Sequence, residues 1–497
     1  MERDCILAID QGTTNTKALL VDRTGAPFFR IAQQIPLIAT PQGFSEQDSE
    51  LLWESVASVA ANAVEYAKAH GCIVKAIAIS NQRETALAWD VDTGSAAAPA
   101  ISWQCGRGAA TCARLASHAN ELRVKTGLPL APLISATKWA WLLENNTAVQ
   151  ELTREHRLRL GTVDTWLVHK LTGGRAHTTD LTNASRTGLL HLAELQWDSE
   201  ILNLFGIPLD ALPELQSSSH LFGYCEALTE LAGVPIMSAI GDSHAAMFGH
   251  ARYAPGTVKA TYGTGSSLMA LTPVLADDTS MLARTIAWSI AGSTQYAVEG
   301  NIPMTGSAIQ WLGEFFGFTN PTNDLVNLAS TVENSAGVFF VPAMVGLGAP
   351  YWDSEARGAI SGLGRHHTSA HLARAALESI AFQIADVFFT MEAVSDLRFN
   401  ELRTDGGATR NASLMQFQAD ILGRPVLRAL NEELSAIGAA WLSGIALGWW
   451  KSPSDLEPLA SASDRFEPAL DPAKRELLHK GWKEAVLGVR VGRAVTA

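Results

Sequence analysis

Residues 6–22 read I-L-A-I-D-Q-G-T-T-N-T-K-A-L-L-V-D, two apolar runs joined by a polar turn too short to hold a helix. Residues 6–9 and 18–21 have the length and apolar character of buried strands. The segment therefore reads as a hairpin whose turn carries Gly12, Thr13 and Thr14 between Asp10 and Lys17. Gly12 permits backbone angles that other residues avoid, which lets amide N–H groups converge on an anion. The threonine hydroxyls and Lys17 add to such a cradle. Asp10 fits there only if it holds a cation, and Mg²⁺ on a nucleotide is the usual partner. Alone, this turn fits an ordinary hairpin equally well.

The same form returns in V-K-A-T-Y-G-T-G-S-S-L-M-A-L-T at 258–272, where Gly263, Thr264, Gly265, Ser266 and Ser267 make the turn. A third element, D-G-G-A-T-R-N-A-S-L-M-Q-F-Q-A-D at 405–420, sets a double glycine ahead of an amphipathic helix. Helix N-termini attract anions, and glycines let a flat ring approach the backbone. Two phosphate-type hairpins in separate halves, with a glycine-rich helix start, describe a nucleotide clamped between two related domains. A chain of 497 residues is long for one core, which agrees with two domains. The Ala-Pro-Gly break within 253–256 is the expected junction.

Between the hairpins, strands and helices alternate. Asp48 and Ser49 are candidate caps for a helix over 48–67, and 76–80 returns as a strand that delivers N-Q-R-E-T to its end. Ligands of open α/β sheets collect at the carboxyl ends of strands, which makes Arg83 and Glu84 site candidates. Residues 126–146 form a loop followed by the helix K-W-A-W-L-L-E-N. The charge-free stretch 436–450 is shorter than a membrane span and reads as a buried helix.

The net charge of −13 argues against nonspecific binding to nucleic acid or an anionic membrane, so phosphates must be held by backbone amides, Mg²⁺ and a few local cations. No basic segment precedes the first apolar run, so no signal peptide is expected. The five cysteines, Cys5, Cys72, Cys105, Cys112 and Cys225, have no C-x-x-C spacing and fit reduced thiols in a cytoplasmic protein. Neither they nor the thirteen histidines show a zinc pattern.

The motifs in order are D-Q-G-T-T at 10–14, N-Q-R-E-T at 81–85, W-Q-C-G-R at 103–107, G-T-V-D-T-W-L at 161–167 and T-N-A-S-R-T at 182–187. They continue with G-D-S-H-A-A at 241–246, Y-G-T-G at 262–265, G-L-G-A-P-Y-W-D at 346–353 and D-G-G-A at 405–408. Their order and spacing, from about residue 7 to about residue 483, resemble the FGGY carbohydrate kinases of the actin-like ATPase superfamily, most of all the glycerol kinase branch. The resemblance implies an α/β fold of two actin-like (ribonuclease H-like) domains with a nucleotide cleft between them. Residues 1–253 would hold the acceptor and the first hairpin, and residues 254–497 the second hairpin and the adenosine site.

The same resemblance implies ATP and Mg²⁺, with Asp10 and Asp242 on the metal side. Thr13, Thr14, Lys17, Thr264, Gly265, Gly306, Gly407 and Asn411 would contact the nucleotide. Arg83, Glu84, Trp103, Leu133, Asp242, Ser243 and Ser267 would surround a small polyol or sugar acceptor. It also implies a cytoplasmic homo-oligomer, a dimer or tetramer, without nucleic acid or membrane partners. Phosphoryl transfer needs phosphates held, charge neutralised, an acceptor hydroxyl oriented and a place for its proton. Asp242 supplies the last in this family, although its local sequence also fits a plain helix cap. Arg83 and Glu84 offer a donor fork beside an acceptor, a match to neighbouring hydroxyls that a surface ion pair shares. Trp103 suits a wall against a carbon chain, or simple burial. His244 points to another helix face than Asp242 and reads as a packed histidine.

Four positions depart from the glycerol kinase pattern. Leu133 stands for tyrosine, Ser243 for glutamine and Ser267 for phenylalanine, and Lys17 stands for arginine. The first three remove two aromatic rings and an amide from the acceptor pocket, which makes room for a longer or branched acceptor and leaves Ser243 and Ser267 to bind extra hydroxyls. That leaves glycerol as the nearest acceptor and a four- or five-carbon polyol or ketose as the expected rival. A noncatalytic ATPase on the same fold is the alternative from another class, and the set Asp242, Arg83, Glu84 and Trp103 speaks against it.

Overall fold

The computed structural model describes residues 3–275, 282–460 and 463–491. Strands β1 (Arg3–Gln11), β2 (Asn15–Asp22) and β3 (Pro27–Gln34) form an antiparallel meander. Helix α1 (Ser49–Ala69) carries the chain back to β4 (Cys72–Asn81), which runs parallel to β1. Smaller elements, among them α2 (Ser135–Asn145), lead to β5 (Ser219–Tyr224) and to β6 (Pro235–Gly241), which pairs parallel to β4. Helix α3 (Asp242–Gly249) follows β6 without a loop.

The second half repeats the plan. Strands β7 (Val258–Tyr262), β8 (Ser266–Thr272), β9 (Ala283–Ile290) and β10 (Ser293–Ile302) are antiparallel. Helices α4 (Gly306–Phe315) and α5 (Ser369–Ser395) then return the chain to β11 (Leu402–Asp405), parallel to β7. Helix α6 (Ala412–Leu422), β12 (Val426–Ala429), α7 (Leu434–Ala446), β13 (Ser463–Phe466) and α8 (Pro472–Val491) complete it. The strands form one 13-stranded sheet in the order β13-β12-β11-β7-β8-β10-β9-β5-β6-β4-β1-β2-β3. Within the sheet, the strands of the two halves pair at one residue pair, Ser219 with Ile290, between β5 and β9. Among the described residues, no helix is long and apolar enough to cross a membrane.

Residues 5–11 of β1 are buried throughout, the mark of a central strand covered on both faces. Alternation divides its side chains. Leu7 and Ile9 share a core with Leu52, Val56 and Val59 of α1. Ile6 and Ala8 face the other way, into a core with Ile437 and Trp441 of α7. Asp48 caps α1 by accepting from the amides of Glu50 and Leu51, as its sequence suggests, and the helix runs two residues beyond the expected 67. The helix expected over 436–450 runs 434–446, and Trp449 and Trp450 just beyond it are half-buried, packed on the core rather than inside it.

Helix α7 comes from late in the chain yet lies on the first half's sheet, against α3. The two helices touch backbone to backbone. A Cβ on Gly438 would fall 2.0 Å from the Ala245 carbonyl oxygen, and one on Gly249 would fall 2.5 Å from that of Leu434. Ser435 Oγ also donates to the Asp242 carbonyl at 3.1 Å, so α7 braces the helix that begins with Asp242. We predict that Gly438→Ala forces α3 and α7 apart and lowers unfolding free energy by at least the roughly 1–3 kcal/mol typical of overpacking. Urea unfolding measures this, and wild-type stability would show that the two helices part freely.

Candidate active site

The turn after β1 is held from below by amide side chains. Gln47 Nε2 donates to the Thr13 carbonyl at 2.8 Å, and Gln82 Nε2 to that of Gly12 at 3.2 Å. Gly12 is not in the left-handed region, so the conformational reason expected for it does not apply. Its role is close approach: a Cβ there would lie 3.2 Å from the Asn15 carbonyl oxygen, which accepts from Gly12 N at 2.9 Å. Thr13 and Thr14 top the turn, and Thr13 Oγ1 accepts from Trp103 Nε1 at 2.9 Å. The register of β1 and β2 sets Lys17 opposite Asp10, with Lys17 Nζ 3.7 Å from Asp10 Oδ2 and 2.8 Å from Glu433 Oε2. Ser80 Oγ donates to Asp10 Oδ1 at 2.9 Å. Burial pushes the Asp10 carboxyl up to about 6 despite Lys17.

The second turn is stitched to the start of α4. Gly306 N donates to the Gly263 carbonyl at 3.1 Å, and Ser307 N to that of Thr264 at 3.0 Å. No side chain fits at Gly306, where a Cβ would meet Gly263 O at 2.5 Å. The double glycine packs on the same turn: Gly406 has φ +95°, and its Cβ would fall 2.4 Å from Tyr262 O. Asn411 then caps α6, accepting from Leu414 N at 3.1 Å. Thr264, Gly265 and Gly306 therefore form one cluster, with Gly407 and Asn411 on the adjoining turn.

Strands β4 and β6 end level, with Asn81 opposite Gly241. Arg83 and Asp242 therefore emerge side by side at the carboxyl ends of adjacent parallel strands. Arg83 Nε lies 3.3 Å from Asp242 Oδ1. Gly241 makes room for the arginine stem, since a Cβ there would sit 2.8 Å from Arg83 Cδ. Asp242 is half-buried, with 38 % of its side chain exposed. Burial pushes its carboxyl up and Arg83 draws it down. Trp103 is 36 % exposed and not part of a core. His244 is buried, with Nε2 3.1 Å from Thr285 Oγ1, and burial holds it well below the usual histidine range.

Ser243 and Ser267 meet at 3.3 Å between their hydroxyl oxygens. Lys259 Nζ donates to Ser243 Oγ at 2.7 Å, and Ser267 Oγ donates to Glu299 Oε1 at 2.9 Å. Both hydroxyls are thus engaged within the protein. Leu133 is half-buried on the loop before α2, where the fully buried Lys138 donates to its carbonyl and to that of Ile134.

Glu299, Arg186, Lys259 and Lys138 were not singled out from the sequence. Burial pushes the Glu299 acid up, but Arg186 and then Arg83 outweigh it and hold the group well below the usual range. The available signal was a charged residue inside an apolar strand: Glu299 follows Ala297 and Val298, and Lys259 follows Val258. Arg186 lies in T-N-A-S-R-T, and its Nε donates to Glu84 Oε1 at 2.7 Å.

Desolvation brings the Lys138 ammonium down to about 7, only partly opposed by Glu84, Cys105 and Cys112, while Arg107 adds to the fall. Between about pH 7 and 10.5 the unfolded chain keeps a proton that the folded protein sheds, so this group makes stability rise with pH. We expect unfolding free energy of the wild type, minus that of Lys138→Met, to rise by up to about 1.4 kcal/mol per pH unit in that window. Denaturant unfolding at pH 7, 8 and 9 measures it. A flat difference would place the proton elsewhere.

Comparison with known proteins agrees with this geometry. The family model described as the N-terminal domain of the FGGY carbohydrate kinases matches residues 5–249, and that of the C-terminal domain matches residues 258–447. Glycerol kinase 2 of Thermotoga maritima is 44 % identical over 484 residues, 97 % of this chain and 98 % of that protein. The glycerol kinase of Symbiobacterium thermophilum is 44 % identical over 489 residues, 98 % of each chain. The crystal structure of Plasmodium falciparum glycerol kinase with ADP superposes with a TM-score of 0.92 at 31 % identity, covering 100 % of this chain and 99 % of that one. The chain belongs to the FGGY family of carbohydrate kinases and is an ATP-dependent kinase.

Proposed function

We propose that this kinase phosphorylates a terminal hydroxyl of glycerol. The observation that carries the reading is Asp242, open to the cleft beside Arg83 at the end of two parallel strands, in a chain whose full-length relatives are glycerol kinases. Arg83 and Glu84 bind neighbouring hydroxyls, and Trp103 walls the carbon chain. Asp242 takes the proton of the attacking hydroxyl as its oxygen bonds to the γ-phosphorus and the bond to the β-phosphate oxygen breaks, giving ADP. Thr13, Thr14 and Lys17 hold phosphates from the first hairpin. Thr264, Gly265 and Gly306 hold them from the second, and Gly407 and Asn411 face the adenosine. We place the junction between the two domains near residue 254, between the spans of the two family models.

Mg²⁺ fits this site as an ion delivered by the nucleotide. The described residues contain no cluster of three or more His, Cys, Asp or Glu that holds a metal, and Mg²⁺ needs only one or two carboxylates beside phosphates and water. Asp10 is such a carboxylate, buried and raised to about 6, with a lysine no closer than 3.7 Å, and Asp242 is the second. When bound, the ion neutralises charge on the transferred phosphoryl group. The five cysteines are all free, which supports a cytoplasmic location.

The longer acceptor expected from Leu133, Ser243 and Ser267 is not favoured. Relatives 43–44 % identical over nearly the whole length are glycerol kinases. The two serines, expected to greet extra hydroxyls, are bonded to Lys259, to Glu299 and to each other. A coupled ADP-release assay over glycerol, four- and five-carbon polyols and ketoses should therefore give glycerol the highest kcat/KM. Turnover independent of any acceptor would overturn the reading.

Asp242→Asn should lower kcat by about a hundredfold or more while nucleotide binding persists. Most of the wild-type turnover surviving in that variant would remove Asp242 from proton transfer. Asp10→Ala should shift the Mg²⁺ titration of activity to higher concentration. An unchanged titration would remove Asp10 from the metal site.

A further inference from the structure

Glu299 lies in the interior of β10 between Val298 and Gly300, and none of its surface is exposed. A buried acid persists as a charge only when its oxygens are paired. Its Oε1 accepts from Arg83 Nη1 at 2.8 Å and from Ser267 Oγ at 2.9 Å. Its Oε2 lies 2.9 Å from Arg186 Nη1, an ion pair off the line of a hydrogen bond.

Each arginine turns another nitrogen toward a carboxylate of the acceptor face. Arg83 Nε reaches Asp242 Oδ1 at 3.3 Å, and Arg186 Nε reaches Glu84 Oε1 at 2.7 Å. One buried acid therefore stands behind two guanidinium groups, and these stand behind Asp242 and Glu84. The arginines and both acceptor-side acids come from residues 83–242, whereas Glu299 and Ser267 enter from strands of the second half.

We propose that Glu299 is a positioning residue for the acceptor, fixing both guanidinium groups so that Asp242 and Glu84 present themselves at one spacing. This rests on the assignment of Arg83, Glu84 and Asp242 to the acceptor site. The physical reason is competition for charge. Arg83 is shared between Glu299 and Asp242, with the shorter contact to Glu299. Without the Glu299 charge, Arg83 has Asp242 as its nearest counter-ion and closes on the carboxylate that must stay open to a hydroxyl. Arg186, already 2.7 Å from Glu84, loses the charge that fixes its other end. Because Glu299 belongs to the sheet of the second half, the acceptor face is complete only when the two halves are seated together.

The test is Glu299→Gln in the full-length enzyme, a change that keeps shape and removes charge. Steady-state kinetics with glycerol and ATP, calorimetric nucleotide binding and a melting curve are measured together. We expect glycerol KM to rise about tenfold or more and kcat/KM to fall about a hundredfold or more, with nucleotide Kd within about threefold of wild type. KM does not depend on the fraction of enzyme folded, so a merely structural role lowers Tm and apparent kcat but leaves KM in place. Glycerol KM within about twofold of wild type overturns the proposal. If Glu299→Gln does not fold, Arg186→Lys keeps the charge, loses the planar fork and is read the same way. Unchanged KM there overturns the proposal as well. Asp242→Asn run in parallel separates the two ideas. Turnover surviving in it removes the acceptor-site assignment, whereas an inactive Asp242→Asn beside a wild-type-like Glu299→Gln removes only the role of Glu299.

Discussion

The parallel pairing of β4 with β1 on one side and β6 on the other is the constraint from which the rest of the site follows. Register sets Asp10 opposite Ser80, and Ser80 opposite Ile240, so three strands reach the cleft at one level. Two residues further along, β1 gives way to the turn of Gly12, Thr13 and Thr14. Three further along, β4 delivers Arg83, and two further along, β6 delivers Asp242. A slip of one residue in either pairing would turn every side chain to the opposite face. Burial of β1 on both faces makes such a slip costly, since Leu7 and Ile9 belong to one core and Ile6 and Ala8 to the other.

Charge in this site is kept by sharing. Glu299, Arg83, Arg186 and Glu84 are all largely removed from water, and removing one partner of a buried pair typically costs about 3–5 kcal/mol. Lys259 joins through Ser243 and also donates to Thr261 Oγ1 at 2.8 Å. Asp242, paired with Arg83, has a more open side chain than any of these, and it is the one proposed to take the proton. A carboxylate at the edge of such a lattice keeps its charge while one side stays free for a hydroxyl.

The sequence announced the parts of this architecture that depend on local pattern. Both hairpins, the cap at Asp48, the strand that delivers Arg83 and the double glycine were legible because each rests on periodicity or on a turn residue. Other features depend on partners far along the chain. Nothing near Glu299 indicates Arg186, and nothing near Lys138 says that its helix face is buried. Gly12 was read for its backbone freedom, but the reason for it is a neighbouring carbonyl that only the folded turn brings close. Ser243 and Ser267 looked like spare hydroxyls because Lys259 and Glu299 were invisible as partners. Residues 436–450 gave the right helix but the wrong end, because apolar character continues past the last helical residue into packed loop.

The packing of α7 on the first half's sheet bears on how the chain is made. One face of that sheet, with Ile6, Ala8, Leu19, Val21, Ala76 and Ala78, finds its cover in residues 436–442. During synthesis those side chains leave the ribosome long before their cover exists. At about 5–20 residues per second, the roughly 180 residues between α3 and α7 take about 10–40 s to appear. Throughout that interval the nascent first half carries an apolar sheet face that chaperones or another chain can occupy. Production of this enzyme should therefore be sensitive to translation rate and chaperone supply in its second half.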